Sequence, residues 1–532
     1  MRNLFTKLRA SLFAAAVLCF LGTLLSVSAQ TLPPQQDPLK KILAAGQAAG
    51  QNGACSASGE SLCEEAAPKI IANALGPSPL YENLRRLTDE IGGRQTGSPA
   101  MAKAITWAVE AFHAAGVENV KTETYTIPVN WSEGATRLEI LGAHSFPVRL
   151  VSIGWGPATP AGGITANLVD VGDGTAADFA RVGVAARGTI VLVHSALLQT
   201  LEGLFAEYME APGIIDRSVA AGALAILWTS SREHGLLYRH TNSTEGQLDR
   251  LPQAIVARED AERLARFLAA GQTMRVRLDI PNHIGGPVEQ QNVIAEIRGR
   301  EKPDEYVVVA AHLDSWELGT GALDNGCNAA LVIEAARDIA ATGLKPRRSI
   351  RFLLVSGEEQ GLLGSWAYVR AHRGEMDRVA GVVVIDEGIG RITGYSLGGR
   401  TDTEAALRSI LKPVESWGVT QHTPDAMWGT DHFDFMLEGV PTLVANQEAA
   451  NYMVNYHAAS DTLDKVDIRE VKINAAIIGI TTFGIAEQVA RFGPRQTRGE
   501  IEAMLKQTGL AQQMQQIGIW SLWQSGARGR QP

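Results

Sequence analysis

The sequence YVVVAAHLDSWELGTGALD, from Tyr306 to Asp324, contains a short apolar run that ends in polar residues. Its Val and Ala residues have the length and β-branched content of a strand buried in a parallel sheet. His312 and Asp314 follow this run directly, and a glycine-rich loop then leads to Asp324. Because ligands bind at the carboxyl edge of the strands in open α/β sheets, we expect a functional site at this edge.

Two later stretches repeat this arrangement of an apolar strand followed by acidic residues. The run IRFLLVS precedes Glu358 and Glu359, and the run VVVI precedes Asp386. His457 follows in a loop that reads NYHAASDT. Each residue alone has an ordinary structural explanation, such as a helix cap or a helix N-terminus. The repetition at successive strand ends favours one shared site.

Two histidines and three carboxylates form a set of N and O ligands that suits zinc. Five ligands are too many for one tetrahedral ion with an open position, but they suit two ions about 3.5 to 4 Å apart if one carboxylate bridges. We predict Asp324 as the bridge because it is short and lies in a glycine-flanked turn. A carboxylate left over can act as a base, so the predicted reaction is amide hydrolysis. A serine nucleophile is not expected, since Gly357 leads into Glu rather than into a G-x-S-x-G turn.

Four segments together carry a family resemblance: HLDSWELGTGALDNG, SGEEQGLLGS, VVVIDEG and NYHAASDT. In order, residue type and spacing they resemble the co-catalytic di-zinc exopeptidases, the family of secreted zinc aminopeptidases and carboxypeptidase Q-like enzymes. The resemblance implies a metallopeptidase with two zinc ions and a peptide substrate. It also implies a cis peptide bond between Asp324 and Asn325.

The resemblance assigns the metal ligands residue by residue. It implies one zinc ion bound by His312, Asp324 and Asp386. It implies a second zinc ion bound by Asp324, Glu359 and His457.

Further roles follow from the same resemblance. Glu358 is implied as the general base, and Asp314 as the residue that orients His312. We expect Asp461 to orient His457 in the same manner, because it follows four residues later.

Other residues are candidates for substrate contacts. Asp431 and His432 resemble the segment that lines the specificity side of the cleft, and Tyr456 is a candidate hydrogen-bond donor to the oxyanion. His432 is also an alternative to His457 as the last metal ligand, although the spacing and the NYHxxxDT context favour His457. Arg94, in the loop IGGRQTGSPA, either contacts substrate or makes a structural ion pair.

Composition restricts the class of protein. The 532 residues are 45% apolar and 20% charged, which is typical of a globular protein of two or three domains. The net charge of -9 and the pI near 5.7 argue against a nucleic-acid partner.

The N-terminal residues indicate export. Residues 1–29 carry basic residues, an apolar run and a small-residue cleavage site, as in a secretory signal peptide; an uncleaved anchor is the alternative. We therefore predict a periplasmic or extracellular protein without a stable membrane span after cleavage. Cys55 and Cys63 are candidates for a small disulfide loop in such a compartment.

The predicted fold class is α/β, a mostly parallel sheet flanked by helices, with an inserted β-rich domain that resembles a protease-associated domain. The C-terminal tail is amphipathic, and we expect it to dock on the body or on a second copy in a homodimer, or to fray. The predicted parts are a signal peptide (1–29), an N-terminal segment (30–68), the catalytic domain (69–130 and 286–492), the insert (131–285) and a helical extension (493–532).

Three functions are consistent with this sequence. The first is a secreted exopeptidase for dipeptides or the ends of short peptides, with a generic aminopeptidase as the close alternative. The second is a non-catalytic, receptor-like binding protein on the same scaffold, which we expect to have lost ligands that this chain keeps. The third is an acyl-transfer or cyclising enzyme with one zinc ion, which the full ligand set disfavours. The direction of attack and the side-chain preference do not follow from these residues.

Overall fold

A mixed sheet of seven strands, the main sheet, organises the chain. The structure is a computed structural model that describes residues 61–142 and 144–532. The predicted signal peptide and Cys55 lie outside these residues. The strands are β1 (Glu118–Ile127), β2 (Trp131–Ser132), β3 (Arg137–Leu141), β4 (Leu150–Ser152), β5 (Ile164–Asp170), β6 (Ile190–Val193), β7 (Ala225–Thr229), β8 (Gln253–Val256), β9 (Arg275–Asp279), β10 (His283–Ile284), β11 (Val288–Ile297), β12 (Lys302–His312), β13 (Arg348–Val355), β14 (Val379–Val384), β15 (Ile392–Ser396) and β16 (Thr442–Gln447).

Helices follow most of these strands. They are α1 (Cys63–Leu75), α2 (Leu80–Arg85), α3 (Pro99–Ala114), α4 (Ala176–Val182), α5 (Leu201–Ala221), α6 (Arg258–Ala269), α7 (Cys327–Ala340), α8 (Leu363–Ala371), α9 (Glu404–Leu411), α10 (His432–Leu437), α11 (Tyr452–Asn455), α12 (Ile468–Glu487), α13 (Arg498–Gln507), α14 (Leu510–Gln516) and α15 (Trp520–Ser525). Shorter 3₁₀ and π turns cover Arg86–Ile91, Gly183–Ala186, Ala322–Gly326, Arg373–Arg378, Lys412–Trp417 and Leu463–Lys465. Among the described residues, no helix is both long enough and apolar enough to cross a membrane.

The main sheet has the strand order β1-β11-β13-β12-β14-β16-β15, with a parallel centre and antiparallel edges. Strands β13, β12, β14 and β16 run parallel, while β1, β11 and β15 pair antiparallel with their neighbours. Helix α7 connects β12 to β13 and α8 connects β13 to β14, as parallel neighbours require a crossover. The prediction of an α/β sheet is therefore confirmed, although the sheet is mixed rather than mostly parallel.

Helices cover both faces of this sheet because alternate residues of a strand point to opposite sides. On one face, Val382 of β14 packs in a cluster with Tyr368 of α8 and Phe435 of α10. On the other face, Gly381 lies against Ile485 of α12. The central strands are buried on both sides, which explains their nearly continuous apolar sequences.

The region between β1 and β11 forms a second sheet of seven strands, in the order β3-β9-β5-β6-β7-β8-β4. Its central strands β5, β6, β7 and β8 are parallel; helix α4 connects β5 to β6, α5 connects β6 to β7, and α6 follows β8. We call residues 137–279 the second-sheet region. It has more helix than the β-rich pattern predicted, because the 21-residue helix α5 is part of it.

The C-terminal tail packs on the main sheet's helices. Apolar residues of α13, α14 and α15 form one buried cluster with Phe433 and Leu437 of α10. Beyond α15, the guanidinium of Arg528 forms a fully buried ion pair with Asp434, at 2.8 Å. Of the arrangements predicted for the tail, the structure shows docking on the body.

Candidate metal centre

The carboxyl ends of three adjacent strands bring the predicted ligands together. Strand β12 lies between β13 and β14 and ends at His312. Strand β13 ends at Val355, and Glu359 follows in the next turn. Strand β14 ends at Val384, two residues before Asp386. The site therefore lies at the sheet edge where the sequence predicted it.

Asp324 lies between the two histidines. Its Oδ1 is 3.1 Å from Nε2 of His312, and its Oδ2 is 3.1 Å from Nε2 of His457. Each histidine faces a second carboxylate at 2.9 Å, which is Asp386 for His312 and Glu359 for His457. These five residues therefore form two groups of three that share Asp324.

The surroundings of His312 fit a metal ion. Its Nδ1 lies 3.0 Å from the main-chain oxygen of Asp314, and its Nε2 faces oxygens of Asp324 and Asp386. In a neutral ring with the proton on Nδ1, the lone pair of Nε2 is free to bind a cation. N and O donors that converge in this way suit zinc.

The pKa shifts show that negative charge is in excess among these buried residues. Burial alone would lower the pKa of His457, but Glu359 and Asp324 raise it to about 9. Burial raises the pKa of Glu359 to about 7 and also raises that of Asp386. Burial opposes ionisation of Asp324 as well, yet its hydrogen bonds with both histidines lower its pKa. The buried carboxylates thus require positive charge nearby.

Asp314 lies behind the site. Its Oδ1 is 3.7 Å from Nδ1 of His312, so its main-chain oxygen is the closer partner of that ring. Its carboxylate accepts hydrogen bonds from Thr96 Oγ1 at 2.9 Å and from the main-chain nitrogens of Glu358 and Glu359 at 3.3 and 3.4 Å. Asp314 therefore connects β12 to the turn that carries both glutamates.

The bond between Asp324 and Asn325 is cis, as the resemblance implied. The loop before it is held by Arg94, which is fully buried and donates to the main-chain oxygens of Leu313, Thr320 and Gly321 at 2.6, 2.8 and 2.9 Å. Arg94 therefore supports the loop that carries Asp324, and it donates to main-chain oxygens rather than to a carboxylate of the described residues.

Asp461 also contacts this loop, which corrects a prediction. Its carboxylate accepts hydrogen bonds from the main-chain nitrogens of Leu323 and Asp324, at 2.6 and 3.2 Å. It does not orient His457, whose Nδ1 has no hydrogen-bond partner among the described residues. The spacing of four residues was misleading because the chain turns at His457, where φ is +57°.

Glu358 lines two cavities beside the ligand cluster. The smaller, of about 60 Å³, includes His312, Asp324, Asp386 and His457 in its wall. The larger, of about 360 Å³, extends to Tyr208, Thr244, Leu362 and Gln516. Burial raises the pKa of Glu358 well above its usual value. This carboxylate thus faces open space next to the cluster, as a proton acceptor must.

The predicted substrate contacts occupy different positions. Tyr456 lines both cavities, its ring stacks on His457, and its hydroxyl lies 3.2 Å from that of Tyr208. Asp431 and His432 are buried at the start of α10, behind the wall that Trp428 and neighbouring residues form. Neither residue lines these two cavities, so a substrate contact stays a prediction for both, and His432 lies outside the cluster of ligands.

Sequence reasoning missed several residues of the cavity wall. Glu387 follows Asp386 in the VVVIDEG segment and lines the smaller cavity. Leu204 and Phe205 reach both cavities from α5 in the second-sheet region, and the C-terminal tail contributes Ile517 to the larger one. Glu387 had a signal in its position next to a ligand. The others come from distant segments without a local motif.

Comparison with known proteins finds a family match for the segment that carries the ligand cluster. Residues 292–481 match the sequence profile of Peptidase family M28. Carboxypeptidase Q of Mus musculus is 28% identical over 412 residues, which cover 76% of this chain and 85% of that protein.

Solved structures agree with this match. A peptidase M28 precursor from Shewanella amazonensis has a TM-score of 0.74 and 27% identity, over 82% of this chain and 99% of that chain. A zinc aminopeptidase from Bacillus subtilis shares the fold with a TM-score of 0.60 and 21% identity, over 79% of this chain and 97% of that chain.

Proposed function

We propose that this metallopeptidase, whose residues 292–481 match the profile of Peptidase family M28, removes terminal residues from dipeptides or short peptides. The observation that carries this proposal is the position of Asp324 between two histidines, each with a further carboxylate at 2.9 Å. Such a cluster suits metal-assisted hydrolysis, in which the protein supplies the ligands and a base.

Two zinc ions fit the proposed ligand sets. His312, Asp324 and Asp386 would hold one ion, and Asp324, Glu359 and His457 the other. When bound, zinc supplies Lewis-acid polarisation of the peptide carbonyl and lowers the pKa of water. Together with Glu358, the three ligand carboxylates carry four formal negative charges when ionised, which two divalent ions balance.

Glu358 is the proposed general base. Its carboxylate accepts a proton from the water molecule that attacks the carbonyl carbon, and it returns that proton to the nitrogen of the leaving amine. Hydrogen bonds from the main-chain nitrogens of Glu358 and Glu359 to Asp314 hold this turn in place. Asp314 thus positions both the base and, through its main-chain oxygen, the ring of His312.

Tyr456 is the proposed donor to the oxyanion. It lines both cavities, and its ring is held by stacking on His457, at 3.7 Å between centroids. Its hydroxyl lies within hydrogen-bond distance of that of Tyr208, at 3.2 Å. A phenol in this position can donate a hydrogen bond to the negative charge that develops on the carbonyl oxygen.

Glu387 favours recognition of a free N-terminus. Its carboxylate lines the smaller cavity beside Glu358, and burial raises its pKa to about 8. An α-ammonium group bound there would form a charge-assisted hydrogen bond with Glu387 and so offset the cost of a buried, ionised carboxylate. We therefore propose that the substrate is an unblocked dipeptide or short peptide with a free amino group.

The remaining proposals concern the whole chain. Residues 1–29 support export to the periplasm or the outside of the cell. The division into a catalytic domain (69–130 and 286–492), an insert of the protease-associated type (131–285) and a helical extension (493–532) stays a proposal, as does a homodimer.

Hydrolysis of blocked substrates tests the recognised terminus. An unblocked dipeptide, its N-acetyl form and its C-terminal amide are compared by release of free amino acid. We expect N-acetylation to abolish hydrolysis and amidation to be tolerated. Glu387→Gln is expected to raise KM more than it lowers kcat. The reverse pattern, with activity on the acetylated form, would overturn the proposed N-terminal recognition and leave the metallopeptidase in place.

A further inference from the structure

The second-sheet region is hydrogen-bonded to the loop that carries His457. The main-chain nitrogen of Arg239 donates to the oxygen of His457 at 3.0 Å, and the nitrogen of Ala459 donates to the oxygen of Leu237 at 3.0 Å. Tyr238 forms an antiparallel bridge with Ala458 between these bonds. Residues 237–239 therefore pair with residues 457–459 like two short strands, although they are more than 200 positions apart in the sequence.

Arg232 adds a side-chain contact to the same loop. This residue is only 4% exposed, and its Nη2 donates to the main-chain oxygen of Tyr456 at 2.9 Å. Its Nη1 donates to Ser231 Oγ at 2.7 Å, and that hydroxyl donates to Glu207 of α5 at 3.1 Å. The ring of Tyr238 lies under the guanidinium, at 4.3 Å. The guanidinium of Arg232 is thus held in place by Ser231 and Tyr238 while it donates to Tyr456.

The other end of Tyr456 is also held by the second-sheet region. Its hydroxyl lies 3.2 Å from that of Tyr208 on α5, while its ring stacks on His457. Helix α5 therefore contacts Tyr456 at its hydroxyl and, through Glu207 and Arg232, at its main-chain oxygen. A displacement of this helix or of Arg232 would move the residue on which the imidazole of His457 is stacked.

The two histidine ligands differ in how their rings are oriented. The ring of His312 is fixed by its Nδ1, which faces the main-chain oxygen of Asp314. For His457, Nδ1 has no such partner among the described residues. Its backbone is also in the left-handed region, with φ at +57°, where a residue other than glycine needs support from its surroundings. The orientation of His457 therefore depends on contacts to its main chain and its ring.

We propose that Arg232 is a positioning residue for the second metal ligand, His457, and that the second-sheet region is required for zinc binding there. This inference rests on the proposed ligand sets, in which His457, Glu359 and Asp324 hold one of two zinc ions. Residues that orient a metal ligand typically contribute 10- to 100-fold to metal affinity. Loss of Arg232 should weaken one zinc site and leave the other, built on His312, unchanged.

Arg258 provides a matched control. It is an arginine of the same region, and its Nη1 donates to the main-chain oxygens of Ser195 and Ser230 at 3.0 and 2.9 Å. Both acceptors belong to the second-sheet region rather than to the His457 loop. Arg258→Gln therefore removes a comparable set of hydrogen bonds from the same region without a change at Tyr456.

The test measures zinc stoichiometry and zinc affinity by chelator competition on the purified full chain. We expect wild type and Arg258→Gln to bind two ions with equal affinities. For Arg232→Gln we expect one ion at wild-type affinity and one bound about 10- to 100-fold more weakly. Arg232→Lys, which keeps the charge but lacks the fork, should give an intermediate loss; this variant also serves if Arg232→Gln does not fold. Two ions at wild-type affinity in the Arg232 variants, or an equal loss at both sites, would overturn the proposal.

A double variant separates positioning from general destabilisation. In the background of His457→Gln, the proposal expects no further loss of zinc affinity when Arg232→Gln is added, because Arg232 acts through His457. A further loss of zinc affinity at the remaining site, which is built on His312, would contradict the proposal. If wild type itself binds only one ion or none, the proposed ligand sets fail instead, so the two failures are distinguishable.

Discussion

Oδ1 of Asp461 accepts a hydrogen bond of 2.6 Å from the main-chain nitrogen of Leu323. The second oxygen accepts from the nitrogen of Asp324 at 3.2 Å, so one carboxylate holds the turn that presents the shared ligand. Burial raises the pKa of Asp461 to about 7, against the effect of these hydrogen bonds. The site therefore depends on a residue that the ligand set does not include.

Replacement of Asp461 should weaken metal binding. Asp461→Asn keeps the shape but can satisfy only one of the two main-chain donors, and Asp324 belongs to both proposed ligand sets. We expect zinc affinity to fall about 10- to 100-fold at both sites, measured by chelator competition. Asp464→Asn is the control, since Asp464 is an exposed neighbour that pairs with Lys465. Equal affinities in the two variants would remove the positioning role of Asp461.

Glu358 should control the rate of the reaction without controlling metal content. Glu358→Gln keeps the size of the side chain but cannot accept the proton of the attacking water. Turnover should fall by about 10² to 10⁴ while zinc content stays at the wild-type level. Steady-state hydrolysis of a dipeptide and metal analysis of the same sample check both statements. An unchanged rate would exclude Glu358 as the base.

The buried ion pair between Arg528 and Asp434 should anchor the C-terminal tail. Arg528→Leu leaves an unpaired buried carboxylate, which costs about 3 to 5 kcal/mol of unfolding free energy. The double variant Arg528→Leu with Asp434→Leu should lose less unfolding free energy than Arg528→Leu alone, because no buried charge is then left unpaired. Chemical denaturation measures both variants. A double variant that is less stable than Arg528→Leu alone would contradict this interpretation.

His432 should link stability to acid pH. Burial lowers its pKa to about 3, below the ordinary value of 6.5, so the folded chain keeps it neutral while the unfolded chain takes up a proton. The stability that the neutral, buried His432 contributes is therefore complete above pH 6.5, and it is lost as the pH falls below that value. Relative to His432→Asn, wild type should lose roughly 2 kcal/mol between pH 7 and 5, as denaturation curves would show. A constant difference between the two proteins would contradict the shift.

Local patterns allowed much of the catalytic segment to be predicted. The strands that end at His312 and before Glu358 and Asp386 have apolar sequences bounded by polar residues, and the structure contains them at those positions. Helix α9 ends at Leu411 and continues as a 3₁₀ turn, where Pro413 lacks a main-chain donor.

Contacts between distant segments could not be predicted in this way. Arg94 contacts main-chain oxygens more than 200 residues away, and its target loop has no charge pattern that signals the contact. The same holds for the contacts of Tyr208 and Arg232 with Tyr456, because each joins segments more than 200 positions apart in the sequence. The spacing of residues predicts which side chains can be ligands, whereas tertiary packing determines which other residues orient those ligands.

Zinc removal and return, followed by hydrolysis of an unblocked dipeptide, tests whether this chain is a two-zinc exopeptidase. The purified chain is assayed as isolated, after chelation, and during titration with zinc. We expect chelation to abolish the release of free amino acid, and activity to return as zinc is added and to reach its maximum at two ions per chain. Hydrolysis that persists in fully chelated protein, or zinc-bound protein that hydrolyses no peptide, would contradict this expectation.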